Sequence, residues 1–177
     1  GQEVAIKLFL REGDSFRVET RFLREAGSHP NIIPLLDAFE RPRQALVFPI
    51  ANPLAKLVEN RALPVHMAVQ YGKQILQGLV HLHSNGIAHL DLKCDNILLS
   101  ERNVAMITDF GMAENFSGVE ELSRCGTPPF MSPEIFIEPY QGDKGKVDSY
   151  AFGMTFYEML RGDLPWCELI EGSGEAW

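Results

Sequence analysis

A chain of 177 residues, 45% of them apolar, with a formal net charge of −8, has room for one domain or a compact two-lobed unit with a real core. The acidic balance excludes the basic footprint of a nucleic-acid-binding protein, and no run of like charges reads as an interaction tail. Cys94, Cys125 and Cys167 have neither metal-ligand spacing nor an even-numbered framework, which fits a reducing, cytoplasmic setting; no stretch reaches the ~18 apolar residues of a membrane span and no signal-peptide profile opens the chain. Val4 to Leu10 is rich in β-formers and predicts a strand. Phe16, Phe22, Leu23 and Ala26 recur at near-helical spacing and predict a short helix over 14–26, broken at His29-Pro30-Asn31. Ile32 to Phe39 and Ala45 to Ile50 read as two more strands, joined by a turn at Arg41-Pro42-Arg43.

The character then changes. Pro64 suits a first helical position and Asn85-Gly86 a stop. Between them Val65, Ala68, Val69, Ile75, Leu76, Leu79 and Leu82 form the apolar stripe of a long helix. Residues 87–111 hold short apolar pieces, Ile97-Leu98-Leu99 and Val104 to Ile107, between polar turns, and residues 112–146 read as loop. Val147 to Leu160 is apolar nearly all round and predicts a buried helix, capped by Arg161-Gly162. The expected fold class is α+β, with a strand-rich first part and a mainly helical second part meeting near residues 49–54.

Four short motifs occur in order. Val4-Ala5-Ile6-Lys7 ends an apolar strand on a lysine. His89-Leu90-Asp91-Leu92-Lys93-Cys94-Asp95-Asn96 packs a histidine, two carboxylates, a lysine and an amide into one loop, enough for a base, a phosphate contact and a metal ligand together. Asp109-Phe110-Gly111 follows a strand, and Gly126-Thr127-Pro128-Pro129-Phe130-Met131-Ser132-Pro133-Glu134 closes the series. Each alone is unremarkable. Their order and spacing resemble the eukaryotic-type protein kinase family over nearly the whole chain.

The resemblance implies a two-lobed kinase fold, residues 1–50 being a partial N-lobe and 51–177 a partial C-lobe, with ATP and Mg2+ as cofactors. It implies roles for individual residues. Lys7 would hold the α- and β-phosphates, paired with Glu19 rather than Glu25. Asp91 would accept the substrate hydroxyl's proton, and Lys93 would neutralise the transferring phosphoryl group. Asn96 and Asp109 would hold magnesium. Ala5 and Leu98 would sandwich adenine, with Phe48 as gatekeeper and Pro49-Ile50-Ala51 as hinge; Pro49 lacks an N–H but keeps its carbonyl. Leu23, Leu35, His89 and Phe110 match an internal stack, and Asp148 matches a brace of the catalytic loop. Asp91-Leu92-Lys93 with Asn96 and Gly126-Thr127 resembles the Ser/Thr class, so the expected partner is a protein substrate bearing Ser or Thr. The oligomeric state is not legible.

Three departures stand against the pattern. The glycine-rich loop does not precede Val4, the chain stops soon after Leu164-Pro165-Trp166, and both ends therefore read as cuts within a larger protein. Leu90 stands where the family has an arginine that pairs with a phosphorylated activation segment. The competing reading is a pseudokinase or scaffold that binds nucleotide or protein without turnover; Lys7, Asp91, Asn96 and Asp109 weigh against it.

Overall fold

The computed structural model describes residues 3–10, 14–59, 61–116, 126–136 and 142–165. Strand β1 (Val4–Leu8) pairs antiparallel with β3 (Ala45–Pro49), which also takes β2 (Asp37–Phe39), giving a sheet ordered β1-β3-β2. The register sets Ala5 opposite Phe48 and Lys7 opposite Leu46. Helix α1 (Asp14–Ala26) buries Phe16, Glu19, Leu23 and Ala26, spaced to share one helical face. Phe16, Leu23 and Ala26 join Leu46 and Phe48 of the sheet in one apolar core.

The second strand is shorter than its apolar sequence predicts. Pro34 has no N–H to offer a ladder, and the buried pair Ile32-Ile33 turns away from the β1-β3-β2 sheet. Ile33 donates its N–H to the Ile107 carbonyl at 3.0 Å, and the Ile107 N–H returns to the Asn31 carbonyl at 2.9 Å. Ile107 belongs to β7 (Ala105–Ile107), which pairs with β6 (Ile97–Leu99) and through it with β4 (Asn52–Pro53). The Asn31 side chain adds a bond to the Ala105 carbonyl at 2.9 Å. The turn after α1 is thus stitched to a strand more than 70 residues downstream.

A one-turn helix α2 (Ala55–Val58) leads to the long helix α3 (Val65–Ser84). Its glycines permit close packing: a Cβ at Gly78 would lie 2.9 Å from the Asn31 carbonyl oxygen, and one at Gly72 would lie 2.9 Å from the Phe156 ring. Phe156 belongs to α4 (Lys144–Arg161). That helix begins three residues before the predicted Val147, because the Asp143 carboxylate accepts from the Gly145 N–H at 2.9 Å and caps it. It ends on Gly162, at φ 80°. Nor is it apolar all round: Lys144, Asp148 and Thr155 are on its buried side, each bonded, while Gly153 and Tyr157 are exposed. Within the predicted loop 112–146 the chain forms β8 (Glu114–Asn115), paired with β5 (Ile87–Ala88), and 3-10 turns at Pro128–Phe130 and Pro133–Phe136. Elements this short leave no periodic signal. Among the described residues no helix is long and apolar enough to cross a membrane.

Candidate active site

Two groups of side chains meet where the β1-β3-β2 sheet faces the loops around β6 and β7. The first is centred on Lys7. Its ammonium donates to Glu19 Oε2 at 2.7 Å, to Glu19 Oε1 at 3.0 Å and to Asp109 Oδ1 at 2.8 Å. Glu25, the rejected alternative, pairs instead with Arg21 one helical turn back. Burial works against the Lys7 ammonium, but hydrogen bonds to Asp109 and Glu19 outweigh it and hold its pKa above the ordinary value. Burial also opposes charge on Asp109, yet the Lys7 bond, its charge and the Gly111 N–H hold that carboxyl below the usual range. Glu19 is the exception: burial raises its pKa and Lys7 offsets only part of that. Asp109 adopts φ 63°, a left-handed conformation that aspartate tolerates better than bulky residues do.

The second group is the loop from His89 to Asn96. Asp91 Oδ1 accepts from the Thr127 hydroxyl at 2.7 Å, and Asp91 Oδ2 accepts from Asn96 Nδ2 at 2.8 Å. Lys93 Nζ lies 3.3 Å from Asp91 Oδ2 and donates to the Thr127 hydroxyl. Asn96 Nδ2 also reaches the Asp91 carbonyl at 2.7 Å. These bonds fix the Asp91 carboxylate in one orientation. Gly126 permits the approach of Thr127: at φ 108°, a Cβ there would lie 2.7 Å from the Leu90 carbonyl oxygen.

Buried groups hold the loop from behind. Asp148, fully buried, accepts the N–H groups of His89 at 2.9 Å and Leu90 at 2.8 Å, and contacts His83 Nε2 at 2.8 Å. The carbonyl of Thr108 can only accept, so His89 Nε2, 2.9 Å away, donates; Nδ1 is left to accept the Asp91 N–H at 3.3 Å. Thr108 also donates its N–H to the Asn96 carbonyl at 3.0 Å. That one residue therefore couples the Asp91 group to Asp109, its neighbour. Phe110 is fully buried edge-on to His89, with ring centroids 5.2 Å apart. Burial pushes the Cys94 thiol far up in pKa, so it is inert as a nucleophile. Cys125 and Cys167 lie outside the described residues.

Other expected contacts are less closely gathered. Phe48 is buried beside partly exposed Pro49 and Ala51, and Ala5 lies across the ladder from Phe48. Leu98 belongs to the other sheet, opposite Pro53 and Met106. The donor set suits a hard cation. Asn96 Nδ2 donates twice to Asp91, which leaves the amide oxygen for a cation, and Asp109 is a partly exposed carboxylate held ionised. No cluster of three or more His, Cys, Asp or Glu able to hold a metal occurs among the described residues. By donor chemistry Asn96 and Asp109 would fit an ion that takes one or two protein oxygens and completes its shell with phosphate, as magnesium does. His83 and the pair Glu114–Lys144, whose carboxylate and ammonium are 2.7 Å apart, were not legible beforehand.

The protein kinase domain family matches residues 1–174 of this chain. The chain is 34% identical over 180 residues to the fatty acyl-CoA synthetase and RNA processing-associated kinase 1 of Saccharomyces cerevisiae, covering 93% of this chain and 21% of that protein. It is 33% identical over 181 residues to the human hormonally up-regulated neu tumor-associated kinase, covering 93% and 25%. With the serine/threonine-protein kinase TIO of Arabidopsis thaliana it shares 35% over 177 residues, covering 93% and 13%. The chain thus spans a quarter or less of the length of these three relatives. Family match, strand lysine, loop aspartate and Asp109-Phe110-Gly111 agree over one continuous stretch, and this chain belongs to the eukaryotic-type protein kinase family.

Proposed function

We propose that this chain is the catalytic core of a protein serine/threonine kinase, transferring the γ-phosphoryl group of ATP to a hydroxyl of a protein substrate. The observation that carries the reading is the Lys7 bridge: one ammonium holds carboxylates drawn from positions 19 and 109 within 3.0 Å. Lys7 so placed is the group to hold the α- and β-phosphates, with Glu19 fixing its direction. Asn96 and Asp109 would hold magnesium, which would supply charge neutralisation on the phosphates. Asp91 orients the acceptor hydroxyl and takes its proton. Thr127 and Asn96 hold the Asp91 carboxylate from either side, and Lys93 sits beside it as the cation for the transferring group. Ala5, Leu98, Phe48, Pro49 and Ala51 form the adenine wall in this reading. The division into a smaller lobe, 1–50, and a larger one, 51–177, goes with it.

The serine/threonine class is supported by the name of the TIO kinase, a serine/threonine-protein kinase, and by Thr127, whose hydroxyl ties Lys93 to Asp91. The test is transfer of labelled γ-phosphate from Mg-ATP to a generic protein, followed by phosphoamino-acid analysis. Phosphoserine or phosphothreonine is expected. Phosphotyrosine alone would overturn the class, and nucleotide binding with no transfer would favour a binding module.

A further inference from the structure

The turn after α1 is fastened by two histidines that the transfer chemistry does not use. The rings of His29, in the turn, and His81, on α3, are stacked 16° from parallel with centroids 4.5 Å apart. Each is tied to the backbone by a bond of opposite sense. His81 Nε2 lies 2.6 Å from the carbonyl of Ala26, the last residue of α1. A carbonyl can only accept, so that nitrogen donates. His29 Nδ1 instead accepts the Asn31 N–H at 3.1 Å, so the neutral ring carries its proton on Nε2. Asn31 in turn gives its side-chain amide to the Ala105 carbonyl, and its own carbonyl accepts the Ile107 N–H. The stack therefore ties the end of α1, the helix that carries Glu19, to a turn bonded to β7.

Both rings are half-buried beside an open groove, so protons reach them. Pro30, Asn31, Leu76, Gln77, Val80 and Ser84 complete its lining, which holds no Asp, Glu, Lys or Arg. His81 is thus the titratable group that faces His29 across the groove wall. From α1 comes the Ala26 carbonyl, while Arg24 and Glu25 are exposed and Glu25 pairs with Arg21. On β7, Ala105, Met106 and Ile107 carry no charge. A proton on His29 is opposed three times. It turns Nδ1 from acceptor to donor, against the Asn31 N–H. It puts charge on a half-buried ring, and with His81 also protonated it sets two cations face to face. Burial and then the charge of His81 accordingly hold the His29 pKa below its ordinary value.

We propose that the His29–His81 stack is an acid-sensitive fastening: protonation of His29 releases the Asn31 amide, loosens the turn between α1 and β7, and lowers phosphoryl transfer reversibly. His29 and His81 are positioning residues, acting through Asn31 and Ala26. The effect on transfer rests on the kinase reading; the effect on the turn does not. By linkage, the unfolded chain takes up this proton near pH 6.5, at about the ordinary histidine value, and the folded chain only at lower pH. The fastening is therefore complete above about pH 6.5 and weakens as pH falls below it.

The test reads amide protection factors, corrected for the intrinsic pH dependence of exchange, beside turnover at about pH 7.5 and about pH 5.0. Protection of Asn31, Ile33 and Ile107 is expected to fall about tenfold at the lower pH, the opening that follows loss of one hydrogen bond. Ile75 and Leu79, buried on α3, should keep theirs, which shows that the protein remains folded. His29→Asn puts an amide oxygen where Nδ1 stood, able to accept the same N–H, and does not titrate. Its protection should be equal at the two pH values. His29→Phe keeps a flat ring without the acceptor and should show the lower protection at both. Titration of the shared catalytic groups cancels in the ratio of kcat/KM between wild type and His29→Asn. That ratio should be near unity at the higher pH, fall by about threefold or more at the lower, and recover on return. Equal wild-type protection at the two pH values overturns the proposal, as does His29→Asn that loses protection in acid as wild type does. A ratio that stays near unity overturns the control of transfer. Wild-type protein whose protection falls as expected but that transfers nothing at either pH counts against the kinase reading alone.

Discussion

Glu19 is a carboxylate that burial disfavours and only Lys7 makes tolerable. That opposition yields a pH prediction. The lowered pKa of Asp109 contributes stability that is present above its unfolded value and lost as pH falls. The raised pKa of Lys7 contributes stability present below its unfolded value and lost only at high pH. The raised pKa of Glu19 works the other way: its charged form is costly at neutral pH, and the cost fades as pH falls. Lys7→Met removes both favourable contributions and raises Glu19 further. The stability gap between wild type and variant should therefore widen from about pH 4 to about pH 7. Its size should fall below the about 3–5 kcal/mol of a fully buried broken pair, because the Lys7 side chain is 37% exposed. Urea denaturation at several pH values measures it, and a gap independent of pH would contradict the assignment.

Helix α4 carries the clearest prediction about an element. Asp148 is its one carboxylate whose two oxygens satisfy two buried N–H groups of the catalytic loop. Asp148→Ala strands both amides, at about 1–3 kcal/mol each, and should lower the melting temperature by about 10 °C. Asp148→Asn keeps one acceptor and should fall between. A melting curve unchanged in Asp148→Ala would show that the loop holds itself. The loss should also exceed that from Thr155→Val, whose hydroxyl bonds chiefly within the helix, to the Ala151 carbonyl at 2.8 Å. Sequence reading found this helix by its apolar density but misplaced its start. Asp143 is an ordinary N-cap signal, hidden there because Lys144 and Lys146 look like surface residues. Helix α3 was legible from its stripe and its Asn85-Gly86 stop, because a helix of 20 residues repeats its pattern several times. Strand β8, two residues long, repeats nothing and was invisible.

Across the whole molecule the joint is the turn from His29 to Ile33. It follows α1 directly and is bonded to β7, whose strand leads on to Asp109. Asn31→Ala should loosen that joint by freeing the buried Ala105 carbonyl. Faster exchange of the Ile33 and Ile107 amides is expected, with α3 and α4 unchanged; uniform rates across all of these would contradict it. His29-Pro30-Asn31 was legible as a helix breaker and as the landmark for Glu19 but not as a joint, since a breaker is a local signal and a partner 74 residues away is not. The same limit hid Glu114–Lys144, whose members are 30 positions apart and individually look like solvated charges. The Lys7–Glu19 pair was legible because Lys7 lies in an ordered motif and Glu19 at a family-like distance before His29-Pro30-Asn31, whereas the bond from Lys7 to Asp109, a residue expected only to hold magnesium, was not.

The central claim is that Asp91 serves the acceptor hydroxyl while Lys7, Asn96 and Asp109 serve the nucleotide and its metal. Turnover and nucleotide affinity measured together on Asp91→Asn separate the two. The account predicts that phosphoryl transfer to a protein substrate falls by about 10²–10⁴-fold while Mg-ATP affinity stays within about twofold. Wild-type turnover in Asp91→Asn, or loss of nucleotide binding in step with turnover, would contradict it.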